Sequence, residues 1–419
     1  MHVVVIGAGI IGAATAVELQ RDGHAVTLIE PGDPGGEQAA SYGNGCWLSS
    51  SSVLPVASPG MWSKVPGWLA DPLGPLTIRW SYLPKSIPWL RRFMTAGSNW
   101  DKVRRTARAL RPLVQDSPLH HKKLAEEAGV GGLIHRSGNL YIFPSRADYE
   151  ASAESWKIRA ENGVKWLELN ADELRQLEPS IDRRYTFALL VEDGGYCADP
   201  GAYVSALVTH VQAQGGKLIR TTAEGFDIES GRLKAVRTPA GRIACDKAVI
   251  AAGARSRALA HMLGDRVPLE TERGYHAVIS NPESFPRIPV MPSDGKMVNT
   301  MTAHGLRIAG QVEIAGLDAA PNWKRAEILR DHALRTYPGL PRDLPADRVK
   351  VWMGHRPSTP DSIPCIGPAT ACADVVHCYG HGHIGLASGA RTGRLAADLV
   401  SGKPPAFDPS PYNPARFNG

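Results

Sequence analysis

The first thirty residues of this chain restrict its fold more than any other stretch. Residues 2–6 (HVVVI) and 24–30 (HAVTLIE) are short apolar runs rich in β-branched residues, which is typical of buried parallel strands. Between them, the sequence GAGIIG at 7–12 opens a segment with helical apolar spacing, and Gly23 suits its end. This order predicts a β-α-β unit with a glycine-rich turn, an arrangement that binds dinucleotides.

Each glycine of this turn has an expected physical role. We expect Gly7 to permit the tight turn, Gly9 to let the backbone approach a pyrophosphate, and Gly12 to allow close packing of the helix on the sheet. The positive end of the helix dipole then faces the phosphates. Glu30 ends the second strand and suits the adenosine ribose hydroxyls. Its negative charge disfavours a ribose phosphate, so we do not expect NADP.

Composition limits what the rest of the chain can be. With 419 residues, of which 43% are hydrophobic and 21% charged, the chain is long enough for two folded domains. The net charge is +6, but the Lys and Arg residues are spread out. Their densest stretch, 91–111, is typical of a solvated helix face. We therefore expect no nucleic-acid partner.

The cysteines and the apolar runs indicate a compartment. The six cysteines include no C-x-x-C pair, so we expect no zinc ribbon, no dithiol redox motif and no metal site. Cysteines this sparse indicate free thiols in a reducing compartment. We see no signal peptide before the first motif and no uninterrupted apolar run of about eighteen residues, so we expect a cytoplasmic protein without a membrane span.

Periodicity predicts further elements along the chain. We expect helices over 101–129, 201–214 and 385–401, and antiparallel strands within 268–314. The proline-rich tail from Pro404 is expected to be extended.

Three features favour FAD over NAD as the dinucleotide. The β-α-β unit lies at the N-terminal end, a later apolar run ends in Ala-Ala-Gly within 246–254 (DKAVIAAGA), and a glycine-rich strand–helix element returns at 380–385 (GHGHIG). A flavin ring lies far from its adenine and needs support of its own on the same sheet. We expect the element at 380–385 to close the site over the flavin.

The ordered set of motifs carries a resemblance to a known family. Besides the segments above, it includes ASYGNGCWLS at 40–49, GLRIAGQVE at 305–313 and GHRPSTPDSIPCIGP at 354–368. The chain resembles the FAD-dependent amino-acid oxidoreductases of the D-amino-acid oxidase superfamily, and it is most similar to the bacterial D-amino-acid dehydrogenases.

The resemblance implies an α/β fold. It consists of a Rossmann-like FAD-binding domain and a second α+β substrate domain built on an antiparallel sheet. The implied FAD-binding domain is discontinuous, with residues 1–85, 190–268 and 350–419, and the substrate domain takes residues 86–189 and 269–349.

The resemblance also implies which residues bind FAD. Ser41 and Asn44 would lie at the pyrophosphate, and the next residues would reach the isoalloxazine ring, where Cys46-Trp47 departs from the Gly-Gln common among relatives. The closing loop would direct backbone N–H groups and a helix dipole at the flavin edge that gains negative charge on reduction. The full set of expected FAD contacts is Gly7, Gly9, Ile10, Ile11, Gly12, Glu30, Ser41, Asn44, Gly45, Cys46, Leu48, Ala223, Ala252, Gly253, Gly382, His383, Ile384, Gly385 and Leu386.

Four residues are candidates for substrate binding. By resemblance, Arg356 of the motif G-x-R-P would bind the substrate carboxylate, because a guanidinium is planar, always charged and bidentate. Pro357 biases Arg356 toward an extended conformation. Trp47 could narrow the substrate cavity or only pack, and His383 could touch substrate or bond within its loop. Tyr275 could add a hydroxyl at the substrate or be a strand residue at the domain interface.

The reaction implied by the resemblance is the oxidative deamination of a D-amino acid, with a cyclic one such as D-hydroxyproline or D-proline as a candidate. Hydride would pass from Cα to flavin N5, and the imine would be hydrolysed to a keto acid. Positioning provides most of the acceleration, so no catalytic side chain is expected. Electrons would pass to a quinone or another acceptor. The alternatives are an oxygen-using glycine or sarcosine oxidase that forms hydrogen peroxide, and an FAD protein that only shares the fold.

A tryptophan-rich segment over 53–100 allows two interpretations. If a quinone is the acceptor, the segment could touch the inner-membrane surface as a peripheral contact. It could equally be a buried loop of the substrate domain, since amphipathic aromatic side chains serve both uses. Its tryptophans are Trp62, Trp68, Trp80, Trp89 and Trp100.

Overall fold

The computed structural model describes residues 1–61, 65, 67, 74 and 76–418, so Trp62 and Trp68 lie outside the described residues. The strands in chain order are β1 His2–Ile6, β2 Ala25–Ile29, β3 Trp47–Leu48, β4 Leu76–Ile78, β5 Ile134–His135, β6 Asn139–Phe143, β7 Leu167–Leu169, β8 Phe187–Val191, β9 Gly195–Cys197, β10 Lys217–Ile219, β11 Gly225–Glu229, β12 Arg232–Thr238, β13 Gly241–Ala244, β14 Lys247–Ile250, β15 Glu270–Ile279, β16 Val290–Pro292, β17 Val298–Thr302, β18 Gly305–Ile314, β19 Val349–Ser358, β20 Cys365–Pro368 and β21 Val375–Tyr379.

The α-helices connect these strands. In chain order they are α1 Ile10–Arg21, α2 Leu83–Ala96, α3 Trp100–Val114, α4 Ser117–Glu127, α5 Arg146–Glu150, α6 Ala153–Glu161, α7 Ala171–Leu177, α8 Pro200–Ala213, α9 Ser256–Met262, α10 Lys324–Thr336 and α11 Gly385–Ser401.

A six-stranded sheet contains the N-terminal β-α-β unit. Its order is β10-β2-β1-β14-β21-β20, and all pairs are parallel except β20 with β21. Apolar side chains of α1, α8 and α11 share one buried core with β1 and β2. A Cβ at Gly393 would lie 2.8 Å from the carbonyl carbon of Ala14, so glycine there lets α11 approach α1 closely. The predicted Rossmann-like unit is confirmed.

The second large sheet has nine strands. Its path is β19-β15-β18-β17-β16-β6-β8-β7, with β4 beside β18. The pairs are antiparallel except β16 with β6 and β4 with β18. The fold class is therefore the predicted one. The domain boundaries stay a prediction: β4 and most of β19 belong to this sheet, although residues 76–78 and 350–358 fall within the segments assigned to FAD binding.

The two faces of β15 have different surroundings. Side chains alternate between the faces of a strand. Tyr275 and Ala277 lie on what we call the helix face, because they share a core with Leu329 of α10. Gly274 and His276 lie on the opposite face, the site face, where His276 stacks on Trp352 of β19 at 5.1 Å between ring centroids.

Two sequence-based expectations were wrong in detail. The helix expected over 101–129 is two helices, α3 and α4, because Asp116 adopts a left-handed conformation (φ 52°) and Pro118 stands in the first turn of α4. The tail is not simply extended. It contains short 3₁₀ turns over 410–412 and 414–417, Tyr412 is fully buried, and Arg416 pairs with Asp361 at 2.9 Å.

Candidate active site

The glycine-rich turn leaves room for a ligand in front of α1. Gly7 has φ +103°, and a Cβ there would lie 2.5 Å from the carbonyl oxygen of Ala251. A Cβ at Gly12 would lie 1.9 Å from the Gly7 carbonyl oxygen, so neither position accepts another residue without movement. At Gly9 a Cβ would meet nothing nearer than Ser41 Oγ at 3.4 Å. The backbone at Gly9 is therefore open to close approach.

Polar groups surround this turn. The N–H of Ile10 donates to Ser41 Oγ (3.0 Å), which places Ser41 at the N-terminus of α1. The first N–H groups of a helix have no intrahelical acceptor, so those of Ile11 and Gly12 suit an anion. Glu30 accepts from the backbone N–H of Ala8 at 2.9 Å, which holds its carboxylate at the carboxyl end of β2.

Arg307 holds the loop after Ser41 against the site face. Its guanidinium donates to the carbonyls of Tyr42 (2.9 Å) and Asn44 (3.0 Å) and contacts Cys46 Sγ at 3.4 Å. Thr300 donates to the Gly45 carbonyl at 3.0 Å. The expected pyrophosphate and flavin loop is thereby fixed between the two sheets.

Cys46 and its neighbours are buried within this loop. Cys46 has φ +68° and no exposed surface, and burial raises the pKa of its thiol, so it is a neutral thiol at neutral pH. Trp47 is 7% exposed and meets Tyr141 edge-to-face at 5.4 Å between centroids, which is the packing alternative. Leu48 lies in the core shared with α1.

The closing elements meet at the carboxyl ends of the parallel strands. Ala252 and Gly253 follow β14, and Gly253 has φ +55°. The short 3₁₀ turn Gly382–Ile384 leads directly into α11, which begins at Gly385 and buries Leu386. The N-terminus of α11 therefore follows the expected flavin loop immediately. Ala223 lies between β10 and β11 and packs against the apolar cluster that contains Ile29.

Arg356 lies on the site face and reaches across β15. A Cβ at Gly274 would lie 2.3 Å from Arg356 Cζ, so the guanidinium occupies space that only glycine leaves free. It donates to the carbonyls of Gln311 (2.9 Å) and Gly310 (3.3 Å). These carbonyls are available because β18 has a register irregularity here, with Gln311 at φ 61°.

His383 lies near Arg356. Its side chain is open to solvent, and yet enclosure by protein and the Arg356 charge lower its pKa to about 4. His383 therefore lies at a position that protein encloses and solvent still reaches. His383 is neutral above about pH 4, so Arg356 is the positively charged member of this pair. The structure thus brings these two predicted residues together.

Tyr275 is not part of this group, which corrects the substrate-contact prediction for it. It lies on the helix face, is 1% exposed, and donates its hydroxyl to Glu313 while accepting from the N–H of Asn322 (2.9 Å). The side-chain parity of β15 puts it opposite Gly274 and Arg356. Tyr275 is a strand residue, as in the other alternative, and it packs in the core beneath α10.

Sequence reasoning missed Glu272. In the register of β15 and β19, Glu272 is directly opposite Arg356 on the site face, and it is 5% exposed. Burial raises its pKa above the ordinary value, while the Arg356 charge acts in the opposite direction. The two-residue spacing from Glu272 to Gly274 and His276 was the available signal, since alternate residues of a strand share a face.

Comparison with known proteins decides the family. The family of FAD dependent oxidoreductases named DAO matches residues 2–399. The chain belongs to this family. FAD is therefore its cofactor, and the open turn at Gly9 and the two helix N-termini fit it. The individual FAD contacts stay predictions.

Members of the family are similar over nearly the whole chain. The chain is 58% identical to the D-amino-acid oxidase of Bradyrhizobium diazoefficiens, over 99% of both chains. It is 30% identical to the D-amino acid dehydrogenase of Paramagnetospirillum magneticum, over 97% of this chain and 96% of the other.

A solved structure shares the fold. Glycine oxidase from Geobacillus kaustophilus superposes with a TM-score of 0.73 at 21% identity, over 100% of this chain and 99% of the other. Within the described residues of our protein, no helix is long and apolar enough to cross a bilayer.

Proposed function

We propose that this protein catalyses the FAD-dependent oxidative deamination of a D-amino acid. The relatives named for D-amino-acid oxidation, at 58% and 30% identity, support this substrate class. When bound, FAD would supply the acceptor for the hydride that leaves the substrate Cα. Water then hydrolyses the imine product to a keto acid and ammonia.

The observation that carries the proposal is the placement of Arg356. Its guanidinium is held across Gly274 by two backbone carbonyls, and Arg356 remains partly exposed. An enclosed arginine without a tight carboxylate partner suits the carboxylate of an amino acid, because charge-assisted bidentate bonds form in one geometry. His383 beside it is neutral and does not compete for the carboxylate.

Positioning is the main contribution of the chain to the rate. Arg356 fixes the carboxylate, and the N-terminus of α11 turns its N–H groups toward the loop that begins at Gly382. Holding two reactants in a reactive geometry removes on the order of 7–11 kcal/mol of barrier. Because Cα loses a hydride and not a proton, no base is required at Cα.

For the electron acceptor we propose molecular oxygen, with hydrogen peroxide as product. The support is that the relative at 58% identity is named an oxidase, whereas the relatives named dehydrogenases share 28–30% identity. The second candidate is the dehydrogenase predicted from the sequence, which would use a quinone or another acceptor.

The test is an anaerobic panel of D- and L-amino acids, D-proline, D-hydroxyproline and sarcosine, in which reduction is read as loss of the visible absorbance of the flavin. We expect bleaching by one or more D-amino acids and none by their L-enantiomers. Bleaching by L-amino acids or sarcosine alone would refute the proposed substrate class. Oxygen uptake with and without an artificial acceptor then separates oxidase from dehydrogenase.

A further inference from the structure

Glu272 and Arg356 carry opposite charges and lie side by side on the site face, but they do not form an ion pair with each other. Glu272 and Arg356 are partners in the β15–β19 register, so their side chains leave neighbouring points on one face. The Arg356 guanidinium is turned toward β18, where it bonds to carbonyl oxygens rather than to the Glu272 carboxylate. Glu272 is 5% exposed, so little bulk water compensates its charge.

Glu272 is also close to the closing loop. Ser358, two residues beyond Arg356 on β19, pairs with His381 in an isolated bridge. A Cβ at Gly382 would lie 3.3 Å from Ser358 Oγ. In the register Ser358 is opposite Glu270, and its hydroxyl also acts on the Glu272 carboxylate, whose pKa it lowers. A residue that contacts Glu272 therefore touches the loop that precedes α11.

The other charged groups around Glu272 are accounted for. Glu270, on the same face of β15, accepts from the Tyr82 hydroxyl at 3.2 and 3.1 Å. His383 is neutral above about pH 4. Glu272 has the neutral Ser358 hydroxyl as a neighbour, and among the described residues neither Glu272 nor Arg356 has an ion-pair partner within 4.0 Å.

An α-amino acid carries a carboxylate and an ammonium on one carbon, so it can bridge such a separated pair. We propose that Glu272 binds the α-ammonium group of the substrate whose carboxylate Arg356 holds, and accepts one proton from it. The inference rests on the proposed function. It makes Glu272 a second recognition residue, which favours zwitterions over simple carboxylates.

The proton transfer is balanced within the complex. One N–H bond of the ammonium breaks, an O–H bond forms on Glu272, and the electron pair stays on nitrogen. The products are a neutral amine and a carboxylic acid, and nothing is oxidised or reduced in this step. The neutral amine is the form whose nitrogen lone pair can assist loss of hydride from Cα. Burial raises the pKa of Glu272, which makes it a better proton acceptor than an exposed carboxylate.

The test uses the isosteric variant Glu272→Gln in the FAD-loaded protein. It compares two ligands, one with and one without the ammonium group that Glu272 is proposed to bind. D-Alanine carries the ammonium, and propionate has the same skeleton without it. We expect kcat/KM for D-alanine to fall by about 10- to 100-fold, the loss of one hydrogen bond to a charged group. We expect propionate, followed by its perturbation of the flavin spectrum, to bind unchanged or about 2- to 10-fold more tightly, since a like charge is removed. If the panel favours another D-amino acid, that acid and its deaminated analogue replace this pair.

A purely structural role predicts a different result. If Glu272 only steadied Arg356, both D-alanine and propionate would lose affinity in the variant, and our assignment would be overturned. Unchanged turnover of D-alanine would overturn it as well. Failure of the proposed function is distinguishable, because it appears already in the wild-type protein as no reduction by any amino acid.

Glu270→Gln is the matched control. It removes the same charge two residues away on the same face, where the carboxylate is already bound to Tyr82. We expect kcat/KM for D-alanine and the affinity for propionate each to stay within about twofold of wild type, since the Glu270 carboxylate is bound to Tyr82 and Glu270 is opposite Ser358 rather than Arg356. An equal change in both variants would point to general loss of negative charge and would contradict a specific role for Glu272.

Discussion

The two faces of β15 use the same residue types in opposite ways. On the helix face, Arg273 is fully buried, lies 3.5 Å from Glu313, and donates to the carbonyls of Gly316 and Ala319. On the site face, Arg356 has two carbonyl partners and remains partly exposed.

The two arginines differ in how many of their N–H donors already have partners within the protein. A buried polar network is stable when every member is satisfied, and an enclosed charge with unused donors binds a ligand of opposite charge. Adjacent residues, Glu272 and Arg273, therefore contribute to binding and to stability respectively, because the strand turns them to opposite faces. Substitutions on the two faces are therefore expected to change different measurements: substrate kinetics for the site face and stability for the helix face.

Arg356→Ala is expected to have the largest effect. It removes two charge-assisted hydrogen bonds to the substrate carboxylate, each worth about 1.5–3 kcal/mol, so kcat/KM should fall by roughly 100- to 10,000-fold. FAD content, read from the visible spectrum, should be retained. Arg356→Lys should recover only part of the loss, because an ammonium cannot bind bidentately. Full turnover of D-amino acids by the alanine variant would remove Arg356 from the substrate site.

Arg273→Ala tests the helix face. It leaves Glu313 buried without its cation and three carbonyls without a donor, so we expect the free energy of unfolding to fall by about 3–5 kcal/mol. The apparent Tm at a fixed FAD concentration measures this. The folded fraction should keep its KM within about twofold, since a neighbour on the other face does not contact substrate. A selective loss of substrate affinity without loss of stability would contradict the division of roles.

Gly274→Ala probes the space under the Arg356 guanidinium. The added Cβ would lie 2.3 Å from Arg356 Cζ, and the flexible arginine would yield before the backbone does. We expect kcat/KM to fall about 10- to 100-fold, because a misplaced carboxylate loses reactive geometry, while Tm changes little. Gly132→Ala, at a site with nothing within 4 Å of an added Cβ, is the matched control. Equal losses in both variants would exclude a specific effect on Arg356.

Local patterns in the sequence predicted one half of the molecule well. The run His2–Ile6, the glycines of the first turn and Glu30 belong to a unit whose contacts lie within thirty residues, so its geometry follows from neighbouring residues. Arg356 was also found, because the proline after it restricts its backbone and the motif is recognisable.

The nine-stranded sheet was less predictable, for a physical reason. Which face a side chain occupies depends on strand register, and a shift of one residue reverses it. The irregularity at Gln311 also frees the carbonyls that hold Arg356, and no local pattern indicates it. Tyr275 was thus kept as a candidate substrate contact although it lies on the helix face, and Glu272 was overlooked although it lies opposite Arg356.

The site face should make stability depend on pH. His276 is 3% exposed, and its Nδ1 donates to the Gly43 carbonyl at 3.1 Å. Burial, with help from the charge of Arg307, lowers its pKa from 6.5 to about 3. Between these pH values the unfolded chain binds a proton that the folded chain does not, so stability decreases as pH falls from 6.5 toward 3.

We expect His276 to contribute about 2 kcal/mol of destabilisation between pH 7 and pH 5. The measurement is the apparent Tm of the FAD-loaded protein at both pH values, for wild type and for His276→Gln. The variant should show the smaller decrease. An equal decrease in both proteins would mean that His276 is not held neutral, and that the loop at Gly43 is not pressed against the site face.

Tyr275→Phe should give the smallest effect and the sharpest distinction between the faces. The variant removes a hydroxyl that donates to Glu313 and accepts from the N–H of Asn322, so we expect about 1 kcal/mol less stability, seen as a small decrease in Tm. The reaction should not change, and kcat/KM for the best D-amino acid should stay within about twofold, because the sheet lies between this hydroxyl and Arg356. A fall in kcat/KM with unchanged Tm would return Tyr275 to the substrate site. It would also show that the two faces are coupled, because the Tyr275 hydroxyl, whose hydrogen-bond partners lie on the helix face, would then affect the reaction on the site face.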